Sequence, residues 1–130
     1  MSDFTALGDK RFVSLATFRK TGVPVPTTVW IARDGEALLV TTPAQSGKVK
    51  RLRNNPRVEL RASGRLGKVR DDAPKFAGTA EIISDEADVV RYGKLFRKKL
   101  GIQHSIFMFI ERRVAKGENR RRVILRILPA

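Results

Sequence analysis

The sequence contains no cysteine, which excludes disulfide staples and thiolate metal sites. Its one histidine, His104, stands between Gln103 and Ser105. A lone imidazole cannot build a multi-histidine metal centre, so we read it as an ordinary surface or capping residue. No GxxxxGK[ST] or GxSxG segment occurs, and Gly64 and Gly67 lack the rest of a GxGxxG fingerprint. A P-loop, a nucleophile elbow and a Rossmann site are therefore absent. The carboxylates are scattered, with Asp71-Asp72 an adjacent pair in a loop, and paired acid–base chemistry has no obvious home. The longest apolar stretches, such as Ser105–Ile110, fall well short of the roughly 20 residues of a membrane-spanning helix. Met1-Ser2-Asp3-Phe4 starts no basic-then-apolar export signal. These absences predict a soluble, cytoplasmic protein whose reactivity, if it is an enzyme, comes from a cofactor.

Acid is the other scarcity. Only 13 Asp and Glu face 27 Lys and Arg, a net charge of +14. Such a field concentrates anions, whether nucleic acid, an anionic membrane or a small polyanion. The surplus is clustered: Lys48, Lys50, Arg51, Arg53, Arg57, Arg61, Arg65, Lys68 and Arg70 share the segment 44–70 with Glu59 alone. A second basic group runs from Val89 onward and includes Arg97-Lys98-Lys99 and Arg120-Arg121-Arg122, which a solvated face explains. With 130 residues, 42% of them hydrophobic, the chain suits one domain spanning 1–130, without repeats or a low-complexity linker.

Residues 11–18 alternate, Phe12, Ser14, Ala16 and Phe18 against Val13, Leu15 and Thr17, which predicts a strand. After a turn at Lys20-Thr21-Gly22, the β-branched and aromatic run 25–32 predicts a second, with Pro26 at its beginning or edge. Asp34-Gly35 marks a tight hairpin into a third strand, 37–42. From Ser46 the period becomes helical: Val49 and Leu52 share a face until Asn54-Asn55-Pro56 stops the helix. Strands follow over 58–62 and 76–83, separated by a polar loop at 64–72. Ser84 or Asp85 can cap a helix to about Leu100, with Val89, Tyr92, Phe96 and Leu100 as its buried stripe. Residues 106–114 fit either a helix or a strand, and 123–128 form a last strand. The expected fold class is α+β: a six-stranded, mainly antiparallel split β-barrel with flanking helices.

One constellation carries chemistry. Thr41-Thr42-Pro43-Ala44-Gln45-Ser46-Gly47-Lys48 leads from a strand end into the basic helix. Unpaired N–H groups at a helix start attract phosphate, Ser46 offers a hydroxyl, Gly47 allows close approach and Lys48 adds a full charge. The same residues also read as an ordinary helix cap.

The pattern Thr42, Ser46, Lys48, Leu52, followed by Asn55-Pro56-Arg57-Val58, resembles the flavin-binding split-barrel superfamily that includes pyridoxamine phosphate oxidase. The runs 12–18, 22–30 and 46–58 are similar to one branch of it, the actinobacterial oxidoreductases that use the deazaflavin coenzyme F420. The resemblance implies a homodimer with cofactor sites at the subunit interface. It implies that Thr41, Thr42, Ser46, Gly47 and Lys48 hold the coenzyme phosphate and that Pro26, Thr27, Thr28 and Val29 line the ring. From the partner subunit, Val69 or Arg70 would approach that ring. Flavin oxidases usually carry an arginine where this chain has Gly47, which argues against tight FMN binding and suits the deazaflavin branch. FMN stays the alternative cofactor.

The coenzyme carries a phosphate and a glutamate tail, and the basic surface around Arg51, Arg53 and Arg57 suits such a polyanion. Hydride transfer from a reduced deazaflavin needs orientation and a dry pocket more than a protein acid or base. Trp30 reads equally as a border of the substrate space or as a core or interface aromatic. The leading expectation is an oxidoreductase reducing an unsaturated small molecule. A non-catalytic carrier of a flavin, deazaflavin or tetrapyrrole is a second reading. Nucleic-acid binding through the basic surface is a third and is not expected, because aromatics are few and no recognised module is present.

Overall fold

A computed structural model describes residues 3–100 and 121–130. Alternating inward apolar residues build six antiparallel strands: β1 (Phe12–Phe18), β2 (Pro24–Asp34), β3 (Ala37–Pro43), β4 (Arg57–Ser63), β5 (Phe76–Ile83) and β6 (Arg122–Pro129). They close into a barrel in the order β1-β2-β3-β6-β5-β4. The hairpin turn between β2 and β3 uses Gly35 at φ +61°, a conformation glycine adopts without a Cβ penalty. Val13, Leu15, Ile31, Leu38, Val40, Val58, Leu60, Leu125 and Ile127 fill the interior and are fully buried.

Both barrel mouths are plugged. At one end the short helix α1 (Asp3–Ala6) and a 3₁₀ turn (Leu7–Asp9) insert Phe4 and Leu7 into the core. The sequence pattern predicts no element there, because four helical residues carry no measurable periodicity. At the other end α2 (Gly47–Asn54) turns Val49 and Leu52 inward. On the outside, α3 (Glu86–Leu100) lays Tyr92 and Phe96 on Ala32, Leu39 and Ile124, forming a second apolar cluster. Asp85 accepts from Ala87 N at 3.0 Å at the start of α3, as the sequence suggests for its cap.

Near the end of α3, the Lys99 ammonium donates to the carbonyls of Gly8, Lys10 and Ile31, the last at 2.7 Å. This ties α3, the 3₁₀ turn and β2 together at one cation, and burial pushes the Lys99 pKa down. The ambiguous segment 106–114 and His104 lie outside the described residues. Among the described residues, no helix is long and apolar enough to cross a membrane.

Candidate functional site

The segment that the sequence singles out sits where β3 runs into α2. Thr42, the buried hydroxyl near the strand end, donates to Ser46 Oγ at 3.3 Å. Ser46 caps α2, its side chain accepting from Val49 N at 3.4 Å. Thr41 Oγ1 accepts from Arg122 Nε at 3.0 Å, which brings a guanidinium from β6 to the same strand end. Gly47 is exposed and Lys48 half-buried in the first turn of α2. A Cβ placed on Gly47 would come within 2.8 Å of Arg51 Nη1. Arg51 is itself fixed from below: its Nε donates at 2.7 Å to Thr17 Oγ1, on a fully buried residue of β1. Three cationic side chains therefore come from the first two turns of α2 and from β6, beside two threonines and a serine.

The barrel is split beside this helix. β2 pairs with β3 only over Ile31–Asp34, whereas Pro24–Trp30 pair with β1 alone. The stretch 26–29 thus runs along an edge that β3 leaves unpaired. Along it Pro26 and Thr28 turn outward, and Thr27 is half-buried with a long hydrogen bond of 3.5 Å to Leu15 O. Val29 turns inward, 8% exposed, so its side chain belongs to the core. Trp30 packs on Phe12 with ring centroids 6.4 Å apart and borders the cluster under α3.

On the outer face of β1, β2 and β4 lies a cleft of about 390 Å³. Ser14, Ala16, Pro26, Thr27 and Thr28 form its floor, Glu59 and Arg61 its side, and Gly67, Val69 and Lys75 its rim. The loop 64–75 stands over this floor because Arg61 anchors it. Arg61 Nη2 donates to Ala73 O at 2.9 Å and to Arg70 O at 3.2 Å, and its Nε also reaches Ala73 O. Gly67, at φ +86°, lets the loop pass so near β2 that a Cβ there would lie 2.7 Å from Thr28 Oγ1. Arg70 points into solvent and pairs with Asp72 at 3.2 Å, and it does not reach the cleft floor.

The structure thus gathers Thr41, Thr42, Ser46, Gly47 and Lys48 at one helix start and Pro26, Thr27 and Thr28 on the neighbouring strand. The sequence alone groups Arg51 with the general basic surface and gives no role to Ser14, Arg61 or Thr17. The i to i+4 spacing of Gly47 and Arg51 is an available signal, but Thr17 is 34 residues away from Arg51 and no periodicity links them.

Comparison with known proteins agrees with this architecture. The family model for pyridoxamine 5'-phosphate oxidase matches residues 4–129. The chain belongs to the pyridoxamine 5'-phosphate oxidase family. No curated protein matches it. Among solved structures, an F420 reductase shares 23% identity over 100% of this chain and 95% of its own, with a TM-score of 0.65. A conserved hypothetical protein of Mycobacterium tuberculosis shares 24% identity over 99% and 81%, with a TM-score of 0.69. A haem storage protein of Vibrio cholerae shares 12% identity over 95% and 84%, with a TM-score of 0.66. At these identities the likeness establishes the fold: proteins named for different chromophores share the barrel of the pyridoxamine 5'-phosphate oxidase family.

Proposed function

We propose that this family member binds the deazaflavin coenzyme F420 and, in a homodimer, reduces an unsaturated small molecule with it. The observation that carries the reading is the Thr42–Ser46–Gly47–Lys48 cradle at the start of α2, on a barrel whose β2 edge β3 leaves unpaired over Pro24–Trp30. Its donors are hydroxyls, an ammonium and helix N–H groups, the chemistry a phosphate ester requires. Gly47 leaves the first turn of α2 without a side chain of its own there, and the arginine flavin oxidases usually carry at that position is missing. The reduced ring supplies the hydride when bound. The chain's part is to anchor the phosphate through Ser46 and Lys48, lay the ring along Pro26–Thr28 and exclude water. The net charge of +14 favours the arrival of an anionic coenzyme, an attraction that salt screens.

The reading is tested by titrating the protein with oxidised coenzyme F420 at physiological salt, following fluorescence, with FMN and a short DNA duplex as comparators. Saturable binding of the deazaflavin alone, weakened at least tenfold by Lys48→Ala, is the expected result. Unchanged affinity in Lys48→Ala would remove the assigned phosphate site. Binding of FMN or DNA in place of the deazaflavin would overturn the cofactor. A chromophore that stays bound through purification without oxidation of reduced coenzyme across a substrate panel would turn the reading into a carrier.

A further inference from the structure

Arg51 belongs to the last turn of α2, yet its guanidinium reaches back to the helix start. A helix start carries partial positive charge, and cations there are disfavoured relative to the helix end. Arg51 nevertheless turns back along α2 until its Nη1 lies only 2.8 Å from the place a Cβ on Gly47 would take. There it lies beside the first turn, which holds Lys48 and no acid. What holds it is Thr17, whose fully buried hydroxyl accepts from Nε at 2.7 Å. With Nε engaged, the guanidinium retains its two terminal amino groups as a planar pair of donors at the helix start.

We propose that Arg51 is a phosphate-binding residue of this site and that Thr17 is its positioning residue. The inference rests on the coenzyme reading given above and extends it to a specific side chain. Gly47 and Arg51 act as a pair: the missing side chain at 47 makes room for a guanidinium supplied one turn later and braced from inside the barrel. An anionic phosphate ester relieves the crowding of positive charge at the helix start, and a bidentate contact adds orientation to charge. The same contact cannot form with a neutral ring system that has no phosphate.

The test is a fluorescence titration of the wild-type protein and Arg51→Gln with coenzyme F420 and with its phosphate-free deazaflavin core, alongside circular-dichroism melts. Loss of a charge-assisted contact is expected to raise the Kd for F420 by roughly ten-fold or more and leave the phosphate-free core unchanged. Thr17→Val, which keeps the charge and removes the brace, is expected to weaken F420 several-fold in the same selective way. In the Arg51→Gln background, Gly47→Arg is expected to recover affinity by restoring a guanidinium to the same space. Wild-type binding with no loss in Arg51→Gln overturns the role of Arg51 and leaves the coenzyme reading standing. Equal losses for F420 and the phosphate-free core also overturn it, because they mark a purely structural residue. A wild-type protein that binds neither F420 nor FMN removes both. Should Arg51→Gln not fold, Gly47→Ala decides, since its methyl pushes the guanidinium aside: undiminished F420 binding overturns the proposal and a three-fold or larger loss supports it.

Discussion

Thr42 Oγ1 lies 3.3 Å from Ser46 Oγ, so a buried hydroxyl near the end of β3 donates to the capping oxygen of α2. This contact joins the barrel wall to the first turn of the helix that closes its mouth, as Arg51 and Thr17 do one turn later.

Ser46→Ala removes the oxygen that accepts from both Thr42 and Val49 N. A lost helix cap costs about 1 kcal/mol, and Thr42 would also lose its acceptor inside the barrel mouth. We expect a fall in thermal midpoint of roughly 3 to 8 °C, together with weaker coenzyme binding than the stability loss alone explains. Calorimetry and the fluorescence titration, run on the same sample, separate the two effects.

Arg61→Met keeps the aliphatic stem on the face of β4 and removes the donors that hold the loop 64–75. The barrel core does not use this guanidinium, so the midpoint should move by less than about 3 °C. Amide exchange in residues 64–75 should accelerate, because their carbonyl anchors are gone, and hydrogen-exchange mass spectrometry reads this directly. An unchanged exchange pattern would show that the loop stands over the cleft without Arg61.

Gly78 is packed on both sides by its neighbours in the sheet. A methyl there would meet Ile127 Cγ2 at 2.8 Å and the backbone carbonyl of Leu128 at 3.0 Å, and only the side chain can yield. Gly78→Ala is expected to destabilise by about 1 to 3 kcal/mol, the usual cost of overpacking. Urea unfolding with an unchanged slope and a lower midpoint would be the signature.

Lys99→Met leaves three carbonyls, of Gly8, Lys10 and Ile31, without their common donor. The methionine fills the same volume but satisfies none of them, so the loss is put at about 1 to 3 kcal/mol. The proposed phosphate cradle lies at the opposite barrel mouth, and its affinity for the coenzyme should be unchanged. A variant that keeps its stability would mean that water replaces the ammonium at no cost.

Much of this is legible in the sequence because it depends on local spacing. The alternation Val13, Leu15, Thr17 against Phe12, Ser14, Ala16 and Phe18 is an inside and an outside face, and the burial follows it. Val49 and Leu52 mark the inner face of α2, and Ser46 its start. Strand ends read slightly short: β2 extends to Pro24 and Asp34 and β6 to Pro129, because pairing with a neighbour outweighs the weak strand preference of proline and aspartate at those ends. The outer cleft is not legible, since it needs three strands and a returning loop at once. Arg51 is visible as one basic residue among nine between 44 and 70, and its distinction arises only when β1 brings Thr17 beneath it.

The position of β6 between β3 and β5 also governs how the molecule can be made. Leu38 pairs with Ile127, so the ladder that closes the cylinder joins segments far apart along the chain. On the ribosome, β3 and β5 each present an unpaired edge until β6 emerges, a wait of several seconds at about 5 to 20 residues per second. During that interval the nascent chain is an open sheet with sticky borders. Shielding of those borders until β6 arrives therefore matters to folding alongside the strength of the finished core.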